Sequence, residues 1–492
     1  MIRPFESVPT NKIYKSAIVL LIFLPVLFIN VRSSHNWGGD FAQYINQAKC
    51  ISEGRSQTET GYIFNEQNPY LGPPTYPIGF PLILAPLYYF FGNNILVFSF
   101  LISIFLLALS FVLVKIFNLY FSYLISVLMA VAFIYNPWLL RFKSSIVSDI
   151  PFAFFFLLGI YFYLKKFNSE KTKIRFSILL GLLICISMLI KSIGALIICG
   201  ILFEKIVSSL KNRNFKFVRF HDPLIILGSI LFFYILSNYI MFPTDTEHYS
   251  FFSTLFNLDN IAGAIKSNYS YYFVLIKDYF SDDVIISSIT ITLFLLGFIK
   301  KIINKPDVAD YIFIAYLIII FGFPAVQGFR YLFPVYPIIL IYIAFGFKSI
   351  KLNYPSKRNV FLTMALSVLL ILNYYNGISS VIKSQKKTLA GPQTSYSIET
   401  FHYIQKNTDE NSIFAFIKPR VLALYTERQS IGIGIGKSME EIDRKFSEVG
   451  VDYILTVEDK KSKQFENYLE HYTNKLELIW ENDRFKIFKR IN

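Results

Sequence analysis

ILVFSFLISIFLLALSFVLV, residues 95–114, runs for 20 residues without a charged side chain. At 1.5 Å per residue a helix of that length spans about 30 Å, the thickness of a bilayer's hydrocarbon core. Outward from it, runs that meet or approach the same length recur at 16–31, 119–140, 147–164, 175–190, 192–208, 222–242, 284–302, 308–326, 331–348 and 359–379. The pattern predicts about eleven transmembrane helices. The composition agrees: 54% of the 492 residues are hydrophobic and only 16% charged, where a soluble globule carries about 25% charge to keep its surface solvated. The 52 Phe and 33 Tyr exceed what one aqueous core would hold. The chain reads as an α-helical polytopic membrane protein.

A net charge of +15 suggests nucleic acid until its distribution is followed. Lys165, Lys166, Lys171, Lys173 and Arg175 crowd one loop, and Lys205, Lys211, Arg213, Lys216 and Arg219 another. Lys300, Lys301 and Lys305, then Lys348, Lys351, Lys357 and Arg358, follow at later turns. The 243–283 segment instead carries six acids. Cytoplasmic loops retain Lys and Arg, so the basic loops belong inside and no nucleic-acid partner is implied. Eleven spans then put the N-terminus in the cytoplasm, with outer loops at 32–93 and 243–283, in a cell (inner or plasma) membrane. The run 16–31 could pass for a signal peptide, but no small-x-small site follows it, and it reads as an uncleaved first span. Tyr76–Phe91 is broken by prolines and reads as an interfacial or re-entrant helix. Cys50, Cys185 and Cys199 are scattered and give no disulfide framework.

Residues 1–380 therefore form the multi-pass part. Residues 381–492 change to a soluble composition and read as a small extracytoplasmic α/β domain. Its strands are expected at 413–417, 451–457 and 484–491, and its helices at 397–406, 419–427, 439–449 and 461–472. The glycines at Gly432, Gly434 and Gly436 before Lys437 and Ser438 lack the first glycine of a P-loop, Ile431 standing in its place, and read as a turn.

Chemistry-bearing residues gather on the outer side. Asp40 follows Gly38 and Gly39 and opens a helical stretch whose Phe41, Tyr44, Ile45 and Ala48 share one face, as in a helix on a membrane surface. It is either an N-cap or a carboxylate placed to take a proton from an incoming hydroxyl. Asp149 sits at the mouth of a span, where an unpaired carboxylate is expensive. There it either forms an anchoring ion pair with Arg141 or Lys143 or serves the site. Arg141, Lys143, Lys191 and Arg330 are cations on the side that disfavours them, which points to a lipid phosphate. His35 and His248 make a weak metal case.

Together these features resemble the GT-C class of membrane glycosyltransferases. The closest likeness is to the family-39 branch with its protein O-mannosyltransferases and the aminoarabinose transferase that acts on lipid A. The likeness rests on Asp40, the Pro-Pro-x-Tyr-Pro turn at 73–77, Arg141 with Asp149-x-Pro, the Arg330-Tyr-Leu-Phe-Pro-Val-Tyr-Pro337 segment and the C-terminal domain. Many relatives have Asp-Glu in the first loop; here Phe41 follows Asp40. The resemblance implies an inverting glycosyltransferase that moves a sugar from a polyprenyl-phosphate donor to a lipid, glycan or protein acceptor outside the cytoplasm. Asp40 is then the base. Asp149, Tyr44 and Tyr76 contact sugar or acceptor, and Arg141, Lys143, Lys191 and Arg330 bind the lipid phosphate. No cofactor is required by this chemistry, with a divalent metal left open. A lipid-linked glycan flippase or a glycan polymerase is the alternative, though transporters tend to show midplane charges and repeated halves, and neither is evident here.

Overall fold

The computed structural model describes residues 12–167, 173–211, 221–241, 258–280, 283–323, 328–347, 364–365, 368, 372–458 and 463–491. The first half comprises α1 (Lys12–Phe23), α2 (Gly39–Ser52), strand β1 (Tyr62–Ile63), α3 (Gly79–Phe91), α4 (Ile95–Phe117), α5 (Tyr123–Ile134), α6 (Pro137–Phe142), α7 (Asp149–Lys166), α8 (Ile174–Ile190), α9 (Leu196–Lys211) and α10 (His221–Ile235). Then come α11 (Leu258–Phe280), α12 (Val284–Asn304), α13 (Val308–Gly322), α14 (Tyr336–Phe347) and α15 (Tyr375–Ser384). The C-terminal part adds α16 (Ser395–Asn407), β2 (Ile413–Ala415), α17 (Pro419–Thr426), β3 (Gln429–Ile431), α18 (Met439–Val449), β4 (Tyr453–Val457), α19 (Lys463–His471), β5 (Leu476–Glu481) and β6 (Phe485–Arg490).

Among the described residues, four helices are long and apolar enough to cross a membrane: Ile95–Phe117, Ser192–Lys211, His221–Tyr239 and Val284–Asn304. Shorter apolar helices cover five further expected runs, among them Ile13–Leu27 and Tyr336–Phe347. Of the run at 359–379, residues 359–363, 366–367 and 369–371 lie outside the described residues. Where lipid supplies no hydrophobic drive between helices, close backbone contact substitutes for it. The α12–α14 crossing depends on this: a Cβ on Gly297 would lie 1.7 Å from the Tyr342 carbonyl oxygen, and one on Gly346 2.1 Å from that of Leu293. At the α12–α13 turn Lys301 is buried against Asp307 at 2.9 Å and Asp310, with Tyr120 and Tyr342 donating to the same carboxylates.

The 243–283 segment departs from the loop expected there, because it contains the 23-residue α11. Its Asp, Lys and Ser residues keep it below the hydropathy of a span, yet Ala264, Asn268, Tyr272 and Tyr279 are buried along one helical stripe. Asn268 seals the contact with α13, its amide donating to the carbonyls of Phe321 at 3.1 Å and Phe323 at 2.7 Å. Asp245, Glu247 and His248 lie outside the described residues.

The expected C-terminal strands and helices form within a few residues of their predicted bounds, and Ser438 caps α18 through a capping box. The sheet has order β1-β3-β2-β4-β6-β5, with β1, β3, β2 and β4 parallel and β6 and β5 antiparallel. Its edge strand β1 comes from the 32–93 segment, Tyr62 in register with Ser430 and Ile63 with Ile431. A two-residue strand gives little local signal, so only the pairing reveals it.

Candidate active site

Helix α2 places Asp40. It is not the surface helix that its apolar face suggested: every residue from Phe41 to Ala48 is buried, because α3 and α17 both pack on α2. Its buried glutamines hold the proline-rich turn. Gln47 accepts from the Tyr76 amide and donates to the Tyr76 carbonyl, both at 2.9 Å, and Gln43 donates to the Pro74 carbonyl. The turn is thereby fixed over the N-terminus of α2, with the Tyr44 and Tyr76 rings stacked at 4.5 Å. Gly38, not Asp40, is the N-cap. The Asp40 carboxylate turns away from the helix amides toward three donors.

Tyr76 donates to Asp40 Oδ1 at 2.7 Å, Arg330 Nη1 donates to Oδ2 at 2.9 Å, and Arg420 Nη1 lies 3.6 Å from Oδ1. Burial would raise this carboxyl, but Arg330, Arg420 and the Tyr76 hydroxyl outweigh it and hold it at about 2. The side chain remains 31% exposed. Arg330 sits in a 3-10 turn, Gly328–Leu332, ahead of α14. Burial works against its charge, while Asp149 and then Asp40 raise its pKa further.

Asp149 opens α7 and pairs with Lys191 at 2.5 Å. This replaces the anchoring pair with Arg141 or Lys143 that the sequence suggested. Lys191 is the C-cap of α8 and lies 4.8 Å from the centre of the Tyr331 ring. Burial lowers its pKa, Asp149 opposes that, and both Arg330 and Asp40 act on it electrostatically. Asp40, Arg330, Asp149 and Lys191 thus share one neighbourhood. Tyr44 borders it, its hydroxyl 2.9 Å from Ser148 Oγ beside Asp149.

Arg141 is exposed and covers the Trp138 ring at 5.4 Å. Trp138 packs at 4.6 Å against Phe329, the neighbour of Arg330, so Arg141 lies on the rim. Lys143 does not reach the site expected of it. It is fully buried and turned the other way, donating to the Val26 carbonyl at 2.9 Å and to Ser103 Oγ at 2.5 Å. Burial lowers its pKa to about 7, and its ammonium is already held by protein oxygens.

Sequence reasoning missed Arg420. Its signal was available, for a cation in the first turn of a helix opposes the macrodipole, and Arg420 follows Pro419 at the start of α17. His35 is buried and held near 4 by that burial. It stacks on Phe41 at 3.7 Å, with Nδ1 on the Asn36 carbonyl and Nε2 accepting from the Ile146 amide, so both ring nitrogens are engaged. Both carboxylates are matched to protein cations, and among the described residues no group of three His, Cys, Asp or Glu side chains gathers.

No sequence-family profile matches the chain, and no curated protein matches it in sequence. Solved structures do. ArnT from Cupriavidus metallidurans bound to undecaprenyl phosphate superposes with a TM-score of 0.61 at 12% identity, over 96% of this chain and 97% of that one. The fold is GT-C. AglB oligosaccharyltransferase from Archaeoglobus fulgidus, in complex with an inhibitory peptide and a dolichol-phosphate, gives 0.54 at 11% identity, over 90% of this chain and 69% of that one. Mycobacterial arabinofuranosyltransferase AftD gives 0.54 at 10% identity, and there 99% of this chain matches 40% of the longer one. At these identities the likeness is one of fold, a multi-pass helical one, and the Asp40 cluster lies within it.

Proposed function

We propose that the protein is an inverting glycosyltransferase that moves a sugar from a polyprenyl-phosphate donor to a lipid, glycan or protein acceptor at the extracytoplasmic face of a cell membrane. The observation that carries the reading is the meeting of two carboxylate–cation pairs, Asp40–Arg330 and Asp149–Lys191, at one place. In a single displacement the acceptor oxygen bonds to the anomeric carbon as the bond from that carbon to the phosphate oxygen breaks. The electron pair leaves with the polyprenyl phosphate, and the hydroxyl proton passes to Asp40. Arg330 and Lys191 neutralise the charge that develops on the departing phosphate, with Arg141 at the rim. Asp149 holds Lys191 in place, and Tyr44 and Tyr76 flank the sugar or acceptor.

A carboxylate at about 2 is a weak base, and Arg330 is one of the groups that make it so. A phosphate that draws Arg330 toward itself removes the nearest cation from Asp40 and raises its basicity. Base activation then follows donor arrival. Eleven spans, a cytoplasmic N-terminus and an extracytoplasmic C-terminal domain complete the reading, with the cluster facing the acceptor's compartment.

The test is transfer itself. Protein in lipid nanodiscs is incubated with a panel of radiolabelled polyprenyl-phosphate sugars and membrane extract, and the labelled product is identified. Label is expected to leave the lipid with inversion at the anomeric carbon. Retention of configuration, or label that only changes membrane leaflet, would overturn the proposal.

A further inference from the structure

The guanidinium of Arg420 is among the largest fully buried side chains described, with 1% of the residue exposed. Leu or Met could fill such space without desolvating a charge, which is expensive unless the charge is matched. Among the described residues its ion-pair partner is Asp40. The Tyr62 and Tyr76 rings cover the guanidinium with centres 4.8 and 5.1 Å away, Nη2 donates to the Pro73 carbonyl, and Asn46 holds the Arg420 carbonyl at 3.3 Å. Gly72 makes room for the fork. It has φ +96°, and a Cβ there would lie 2.6 Å from Nη2 and 2.9 Å from Nη1.

We propose that Arg420, carried by the C-terminal α/β layer, is a positioning residue of the transfer site, acting through Tyr76 to decide which oxygen of Asp40 is left for the reacting atoms. The inference rests on Asp40 being the reacting carboxylate. Arg420 Nη1 donates to the Tyr76 hydroxyl oxygen at 3.0 Å, so the one hydroxyl hydrogen of Tyr76 is directed to Asp40 Oδ1 at 2.7 Å. Oδ1 is thereby capped. Oδ2, shared with Arg330, is the oxygen that opens when Arg330 moves. The two arginines differ accordingly: the Arg330 side chain is 22% exposed on a short turn, whereas that of Arg420 is 2% exposed and held by Tyr76 and the Pro73 carbonyl. Arg420 arrives by strand addition. β1 pairs with β3, the Ser430 amide donates to the Gly61 carbonyl at 2.8 Å, and Asn65 and Asn68 donate to the carbonyls of Gly432 and Ile433 at 2.7 and 2.9 Å. Docking of the layer on the first outer loop completes the site.

The test reads Asp40 directly. Infrared difference spectra of full-length protein in nanodiscs, with the Asp40→Asn variant subtracted, follow the Asp40 carboxyl band against pH, and turnover is measured in parallel. Arg420→Gln is expected to move the Asp40 protonation midpoint up by about 1 unit, the lower end of what one adjacent opposite charge contributes, and to lower kcat. Arg420→Lys is expected to keep the midpoint near wild type yet lose turnover, since one ammonium does not serve Tyr76 and Pro73 with the geometry of a planar fork. An unmoved midpoint in folded Arg420→Gln protein would overturn the proposal, as would a moved midpoint with unchanged kcat. If Arg420→Gln does not fold, Gly72→Ala carries the test by displacing the fork while keeping its charge. A smaller rise in the same direction supports the role, and no rise overturns it. Failure of the transfer reading shows separately, as wild-type protein that moves no sugar while its midpoint still depends on Arg420.

Discussion

Replacing Asp40 by Asn changes one atom and one charge, so the surrounding geometry fixes what should follow. The amide oxygen can still accept from Tyr76. What disappears is the negative charge 2.9 Å from Arg330 and 3.6 Å from Arg420. At an effective dielectric constant of about 20, a pair 3.6 Å apart is worth roughly 4–5 kcal/mol before solvent is counted. Asp40 is 31% exposed, so screening brings the net destabilisation down to about 1–3 kcal/mol. The chemical loss is larger. A general base contributes roughly 10²–10⁴-fold, equivalent to about 3–5 kcal/mol of barrier. Helix capping adds nothing, because Gly38 is the cap of α2. Asp40→Asn is therefore expected to insert and fold with a modestly lower unfolding temperature while transfer falls at least 100-fold. Both are measured on the same nanodisc preparation, by thermal unfolding and by release of label from the polyprenyl-phosphate sugar. Near-normal turnover would refute the reasoning and reduce Asp40 to a counterion for Arg420.

Arg330→Lys is expected to lower kcat more than donor affinity, because a point charge cannot face Asp40 and a departing phosphate as a planar fork does; unchanged kinetics would leave Lys191 as the phosphate ligand. The folded-state pKa of Asp40 is depressed to about 2, so its pairing contributes stability above the usual carboxylate range and loses it only as pH falls toward 2. Stability and donor binding should accordingly show no Asp40 step between about pH 5 and 8, and a step there in wild type that Asp40→Asn removes would contradict the assignment. Gly297→Leu should separate α12 from α14 and destabilise the protein by several kcal/mol, read as a lowered unfolding temperature; an unchanged value would mean the crossing is not close. Reporter fusions after residue 385 should read as extracytoplasmic, and a cytoplasmic signal would reverse the proposed topology.

The multi-pass character, the α/β character of the C-terminal part and Asp40, Asp149, Lys191 and Arg330 as residues of interest were all legible in the sequence. These rest on local signals. A helix in lipid must satisfy its own backbone within one continuous segment, so the apolar run from Ile95 to Val114 declares itself. Strands such as Tyr453–Val457 and helices such as Met439–Val449 declare themselves by periodicity. α11 was an exception, its stripe diluted by polar residues whose packing partner lies on α13, and the strands β1, β3 and β5 were not expected either.

The partnerships belonged to the tertiary structure. Lys143 and Lys191 both stand at the ends of apolar runs, and the residues around them do not say which way either side chain turns. Packing sends Lys191 to Asp149 and turns Lys143 onto the Val26 carbonyl. Asp40 meets a cation 290 residues away in Arg330 and a second from the α/β layer in Arg420, while a strand of two residues joins that layer to the first loop. Such contacts are set by how the helices and the sheet close on one another. Sequence states which residues carry charge; only the closed fold decides which charges neutralise each other and which remain for a substrate.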